Sequence, residues 1–305
     1  MITSKILKVV RKPYWAFGVI LRKFFSHAID DRTFIKWEYF SGMGKFPDIE
    51  NPKTFNEKLQ WLKLNDIHEE YSRLVDKYDA KEIVGKRIGN EHIIPTLGVY
   101  DHFDEIDFDK LPDKFVLKTT HDSGGVVICM DKRDKTISNA RKKINKSLRH
   151  NYFYEHREYP YKNIKPRIIV EQYMVDESGT ELKDYKFFCF NGIPKMLLIV
   201  SGRGKDQRQD FYDMDFNLLP VYRKEHPNSG IIRHMPAGYE KMKCLAEQLS
   251  ANIPHVRVDL YDINGNIYFG EMTFYSGSGN IPFEPEEWDY KIGEWLKLPN
   301  TKRQV

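Results

Sequence analysis

Asp259 and Glu271 lie in one segment, Val256-Arg-Val-Asp-Leu-Tyr-Asp-Ile-Asn-Gly-Asn-Ile-Tyr-Phe-Gly-Glu-Met-Thr273. The apolar runs on either side of Asn264-Gly265 predict two strands, 256–261 and 267–272, joined by a tight turn. Cross-strand neighbours approach within about 5 Å, so the two carboxylates face each other. Such a pair repels unless a cation neutralises it, and Mg²⁺ takes oxygen ligands while leaving positions for phosphate oxygens. Arg257 precedes Asp259 by two residues and Thr273 follows Glu271 by two, so each shares its strand's carboxylate face. That makes Asp259, Glu271 and Thr273 the candidate metal ligands and Arg257 a candidate for stabilising developing charge. A surface hairpin with salt-bridged carboxylates would show the same residues.

A second chemistry-bearing segment begins at Lys118, which ends the apolar run Phe115-Val-Leu and meets His121-Asp-Ser-Gly-Gly125. Backbone N–H groups of Gly124 and Gly125, with the Ser123 hydroxyl, can cradle phosphate oxygens beside a lysine. The spacing does not match the Gly-x-x-x-x-Gly-Lys-Ser/Thr loop, and an ordinary hairpin turn also accounts for Gly-Gly. Glu171, Gln172, Tyr173 and Met174 end a strand whose backbone can meet an adenine edge; an ordinary core strand would look alike. Asp184 and Lys186 alternate with apolar residues, so they share one strand face, which suits a polar cleft over a core; a solvated sheet face would look the same.

The elements that must position these residues follow from pattern. Thr54-Phe-Asn-Glu57 is a capping box, with Phe55, Leu59 and Leu62 on one helical face. A helix is predicted over 68–84, and Ile93 to Tyr100 reads as a short strand or turn. The run Val126 to Met130 returns from the glycine loop, and a polar helix spans 138–150. Strands are predicted over 167–174, 184–190 and 193–200, the last two joined through Asn191-Gly192. Residues 203–238 read as irregular, 238–249 as a helix, and 288–298 as the last helix. Hairpins mixed with helices predict an α+β fold. The expected division is a mainly helical region 1–110, a lobe 111–175 carrying the phosphate loop, and a lobe 176–305 carrying the metal site.

Composition narrows the partner classes. The chain has 305 residues, 41% hydrophobic and 30% charged, with a net charge of only +4, which argues for a folded protein and against a nucleic-acid partner. No acidic residue precedes Asp30, whereas Lys5, Lys8, Arg11, Lys12, Arg22 and Lys23 flank the apolar run Tyr14 to Leu21. That run is too short to cross a bilayer, which needs about 20 residues. The pattern suits a basic amphipathic segment, residues 1–25, resting on the anionic inner face of the membrane, or a helix packed on the body with its charges in water. Cys129, Cys189 and Cys244 form no Cys-x-x-Cys pair and read as buried free thiols of a reducing, cytoplasmic compartment.

Taken in order, Lys118 with its glycine loop, Glu171 to Met174, Asp184 and Lys186, then Arg257, Asp259 and Glu271 resemble the ATP-grasp superfamily. Asp76-Lys77, with Lys81 beyond, is similar to the Asp-Lys that precedes the first lobe there. In D-alanine–D-alanine ligases the last strand pair resembles Arg-Val-Asp followed by Glu-Val-Asn. Here it reads Arg257-Val258-Asp259 and Glu271-Met272-Thr273, and Thr for Asn leaves the third metal ligand open. The segments Asn51-Pro-Lys-Thr-Phe-Asn-Glu-Lys-Leu-Gln-Trp61, Lys183-Asp-Tyr-Lys-Phe187 and Tyr268-Phe-Gly-Glu-Met-Thr-Phe-Tyr275 resemble the TupA-like branch, named for teichuronopeptide biosynthesis and found in cell-surface polysaccharide gene clusters.

The resemblance implies an ATP-grasp fold with ATP between two α+β lobes, two Mg²⁺ ions, and ligation of a carboxylate to an amine through an acyl phosphate. Lys77, Lys118 and Lys186 would hold phosphates, and Arg257 would stabilise the tetrahedral intermediate. It suggests a sugar or sugar-linked acceptor, lipid-linked or free, whose carboxylate joins an amino acid. A loop carrying Arg203, Lys205, Arg208, Arg223, Arg233 and His234 suits an anionic sugar or sugar-phosphate; an exposed flexible loop would carry the same residues. Other readings are a glycosyltransferase, against which the lack of a separate Asp-x-Asp motif counts, a sugar or lipid kinase, and an inactive remnant of the fold.

Overall fold

The computed structural model describes residues 13–133, 136–175, 182–202, 207–224 and 226–300. The chain enters through α1 (Pro13–Ile20), which runs on into a π-helical turn, Leu21–Phe25, and then α2 (Asp31–Met43). Asp30 caps α2 by accepting from Thr33 N at 3.0 Å, and Gly44 ends it at φ 73°. The capping box predicted at Thr54 starts α3 (Phe55–Asn65): Thr54 Oγ1 accepts from Glu57 N at 3.2 Å, and Glu57 Oε2 accepts from Thr54 N at 3.1 Å.

The single helix expected over 68–84 is two, α4 (Glu69–Val75) and α5 (Asp79–Ile88). Asp76 makes the break. Its Oδ1 accepts from the backbone N–H groups of Tyr78 and Asp79, both at 2.9 Å, so it caps the second helix. Lys77 is thereby left between helices, where its N–H donates to Thr120 O at 3.0 Å. A local side-chain cap thus fastens Lys77 to the glycine loop.

A four-stranded antiparallel sheet follows, in the order β1-β4-β2-β3: β1 (Thr96–Tyr100), β2 (Phe115–Thr119), β3 (Val126–Cys129) and β4 (Ile168–Gln172). Its edge strand β1 comes from within the segment assigned to the helical region, because Gly98, Val99 and Tyr100 pair with Val170, Ile169 and Ile168. Between β3 and β4 lie α6 (Thr136–Leu148) and α7 (Phe153–His156). Phe103, Phe115, Leu117, Ile144, Ile168 and Val170 form the core under this sheet.

The five-stranded antiparallel sheet has the order β10-β9-β5-β6-β7, built from β5 (Asp184–Phe190), β6 (Ile193–Ser201), β7 (Arg208–Tyr212), β9 (His255–Ile263) and β10 (Asn266–Thr273). The region expected to be irregular, 203–238, supplies β7 and the short β8 (Tyr222–Arg223), which pairs with β11 (Phe283–Glu284). β7 carries buried Gln209 and Asp210 where an alternating strand would carry apolar residues. Asp210 stays solvated by protein, accepting from Ser229 N at 2.8 Å and Ser229 Oγ at 2.7 Å. α8 (Tyr239–Ser250) packs on this sheet, and α9 (Glu287–Trp295) packs on α3. Phe55, Leu59 and Val84 join Phe187, Phe188, Val258 and Leu260 in one core, so the N-terminal helices are built onto the larger sheet. The architecture is α+β, as predicted. Cys129 and Cys189 are buried, but Cys244 is exposed, because it falls on the outer side of α8.

Candidate active site

The metal-site candidates converge on the middle of β9. Asp259 pairs in register with Lys186 on β5 and with Glu271 on β10. The register shifts at Gly270, where an added Cβ would stand 3.0 Å from Asp259 O and 3.1 Å from the Tyr261 ring. Glycine therefore permits the bulge that sets Glu271 directly across from Asp259.

Asp259 is 1% exposed and its charge is answered from two sides. Lys186 Nζ donates to Oδ2 and lies 3.6 Å from Asp184. Arg257 donates Nε to Oδ1 at 2.6 Å and Nη2 to Oδ2 at 2.8 Å. The same Nη2 reaches Glu271 Oε1 at 2.9 Å, and Thr273 Oγ1 donates to that oxygen at 3.4 Å. Burial alone would raise the Glu271 carboxyl, but Lys186, Arg257 and Lys77 hold it down to about 2. Its side chain is still 48% exposed, because it stands on the wall of a cleft. Burial also pushes Lys186 below the usual lysine range, against the pull of Asp259.

The glycine-loop candidates form a second cluster. Lys118 Nζ lies 2.5 Å from Glu171 Oε2, and Lys81 pairs with the other Glu171 oxygen. Burial works to raise Glu171, but these two lysines keep it below the usual carboxylate range. In the loop, Asp122 accepts from Thr119 and Ser147, and Lys77 Nζ donates to Asp122 O. Gly124 has φ 110°, and a Cβ on Gly125 would strike Thr119 Oγ1. Ser123 and Gly124 sit exposed at the tip.

Lys77 joins the two clusters. It is lowered first by burial and then held up by Asp122 and Glu271. One cleft of about 670 Å³ is lined by Lys77, Asp122 and Ser123 together with Arg257, Glu271 and Thr273. Lys118, Gly124, Gly125, Glu171 to Met174, Asp184, Lys186 and Asp259 do not line it. Gln172 is exposed and its N–H is taken by Pro95 O at 3.0 Å, so that backbone donor is not free for a base edge. Tyr173 and Met174 follow it, partly exposed.

Several lining residues carry no sequence signal. Glu38, His156, Glu158 and Tyr161 enter from distant segments. Ser276 accepts from Arg257 Nη1 at 3.4 Å and from Arg223 Nη2 at 3.0 Å. The cationic loop expected over Arg203 to His234 does not act as one surface. Arg203 and Lys205 lie outside the described residues; Arg223 is buried beside Ser276. Arg233 is turned to Asp210 at 3.5 Å and Ser201 at 3.0 Å. Arg233 and His234 line a separate hollow of about 250 Å³.

The family model described as TupA-like ATPgrasp matches residues 57–297. No curated protein matches the chain in sequence. Among solved structures, D-alanine–D-alanine ligase from Bacillus anthracis complexed with ATP is 16% identical, with TM-score 0.39, over 66% of this chain and 54% of that one. The same enzyme from Helicobacter pylori is 15% identical, with TM-score 0.45, over 81% and 68%. The biotin carboxylase domain of the Hydrogenobacter thermophilus 2-oxoglutarate carboxylase, complexed with MgADP, ADP and bicarbonate, is 15% identical, with TM-score 0.41, over 76% and 48%. The chain thus spans about half the length of the first of these.

Proposed function

The chain belongs to the TupA-like ATP-grasp family, and on that premise we propose that it is an ATP-dependent carboxylate–amine ligase of cell-surface polysaccharide assembly, joining an amino acid to a sugar carboxylate. The observation that carries this reading is one cleft lined by Glu271, Arg257 and Thr273 together with Lys77 and Ser123, with Asp259 paired in register with Glu271 and answered by Lys186 and Arg257. Two carboxylates paired in register on neighbouring strands suit a hard cation. Asp259, Glu271 and Thr273 would share Mg²⁺ with phosphate oxygens; among the described residues no three His, Cys, Asp or Glu side chains are grouped to hold a metal by themselves. Mg²⁺ there supplies neutralisation of the phosphate charge.

The chain's own groups divide the remaining work. Lys77 and the Ser123 loop hold the ATP phosphates, while Lys118 and Lys81 balance Glu171 beside them. The acceptor carboxylate oxygen attacks the γ-phosphorus, and the bond to the ADP oxygen breaks. The amine nitrogen then attacks the acyl carbon of this acyl phosphate. The carbon–oxygen bond to phosphate breaks, and the amine proton leaves. Arg257, fixed by Asp259 and Ser276, would meet the oxyanion of that addition. No nucleophilic side chain is needed.

ADP release from Mg-ATP is expected only when a uronic acid and an amino acid are both present. Release with a polyol alone would replace this reading by a kinase. At the chain's start, Tyr14, Ile20, Phe24 and Phe25 are exposed beside Arg22 and Lys23, and the basic residues 1–12 lie outside the described residues. No helix among the described residues is long and apolar enough to cross a membrane. This edge we assign to an anionic membrane surface, so deleting residues 1–25 should lower binding to phosphatidylglycerol vesicles; undiminished binding would remove that assignment.

A further inference from the structure

The cleft continues past Arg257 and Glu271 into a region the ligase chemistry does not use. Tyr161 lines the junction, close enough to feel the charges of Glu158, Glu271 and Arg257. Beyond it stand Glu38 and Glu158, 1% and 3% exposed. Glu38 Oε1 accepts from Arg22 Nη1 at 3.3 Å and from His156 Nδ1. Its second oxygen, Oε2, is buried and has no hydrogen-bond partner. Glu158 accepts from Ser278 Oγ, whose backbone carbonyl takes Lys63 Nζ at 2.9 Å.

A buried carboxylate oxygen without a partner is costly unless a donor arrives, and Glu38 itself lines the cleft, so a ligand with a donor is the natural completion. Burial works to raise Glu38, but His156, Lys63 and Arg22 hold it below the usual carboxylate range; Glu158 is still pushed up by burial despite Lys63 and His156. A further full charge is therefore not called for, and the missing partner is a neutral donor such as a hydroxyl. Trp15, Tyr152 and Tyr161 contribute aromatic wall to the same cleft. Carboxylates with aromatic surface suit a ring that has hydroxyl edges and an apolar C–H face.

We propose that this end of the cleft is the glycosyl subsite, in which Glu38 Oε2 accepts from a sugar hydroxyl while the sugar's carboxylate points toward Arg257 and Glu271. The inference rests on the ligase reading and deepens it. It also assigns a role to α1 and α2. Trp15, Arg22 and Glu38 all precede residue 57, where the family match begins, so sugar choice would be set by a segment outside the shared region.

The test is calorimetry of the full chain with glucuronic acid, in Mg²⁺ and a non-hydrolysable ATP analogue. Glu38→Gln is expected to weaken glucuronic acid by about tenfold or more, with affinity for the nucleotide analogue unchanged within about twofold. If loss of the Arg22 and His156 pairing prevents folding, Trp15→Ala leaves both carboxylates in place and should weaken the sugar by about threefold. Unchanged sugar affinity in these variants overturns the proposal, as does weakening of free amino acid binding instead. ADP release separates the two levels: a Glu38→Gln enzyme that ligates with its parent's KM for the uronic acid sinks the subsite and leaves the ligase. Sugar binding through Glu38 without amine-dependent ADP release keeps the subsite and sinks the ligase.

Discussion

Replacing Glu271 by Gln is expected to lower Mg-ATP turnover by about 10²–10³-fold while the fold survives. The amide is isosteric but neutral, and Arg257 keeps both of its bonds to Asp259. What is lost is one of two opposed negative charges, and with it the attraction for a divalent cation. The Mg²⁺ concentration giving half-maximal rate should therefore rise together with the fall in kcat. Because the Glu271 carboxyl is held at about 2, it stays ionised above pH 3 or so, and activity should not titrate on it between pH 4 and 8. A variant with kcat within about fivefold of the parent and an unchanged Mg²⁺ midpoint would remove Glu271 from the metal site.

Lys186→Met is expected to act on stability as well as rate. Lys186 is buried between Asp259 and Asp184, and removing one partner of a buried pair leaves uncompensated charge at a cost of about 3–5 kcal/mol. Arg257 still answers Asp259, which places the loss toward the lower figure. A cation can substitute for the lost ammonium, so millimolar Mg²⁺ should raise the melting temperature of Lys186→Met more than that of the parent. Thermal melts with and without Mg²⁺ read this directly. Equal Mg²⁺ responses in the two proteins would contradict the carboxylate pair as a cation site.

The parts that sequence reading reached are those encoded locally. The hairpin around Asn264-Gly265 and the one returning through Gly124-Gly125 carry their turn residues and alternation in a few positions. The capping box at Thr54 is equally local. The break at Asp76 was not visible, because a carboxylate that caps a helix also fits the polar face of an uninterrupted one. β7 escaped because it carries buried Gln209 and Asp210, and the partner that satisfies Asp210, Ser229, lies in a later loop. Glu38, His156 and Glu158 escaped for the same reason. Nothing near them in sequence distinguishes them from surface charges; their burial is made by α1, α2 and the Ser276–Gly279 turn. Likewise, Lys77 could be singled out only through the family resemblance, and the structure supplies its physical setting, tied to the glycine loop and within the field of Glu271.

The central claim, activation of a carboxylate by ATP, is tested most directly by oxygen-isotope transfer. The chain is incubated with Mg-ATP, an amino acid and glucuronic acid carrying ¹⁸O in its carboxylate. An acyl phosphate leaves one carboxylate oxygen on the phosphate when the amine displaces it, so inorganic phosphate should carry ¹⁸O in proportion to amide formed. Phosphate released without the label, or label transfer that persists at the parent rate in Glu271→Gln, would contradict the account.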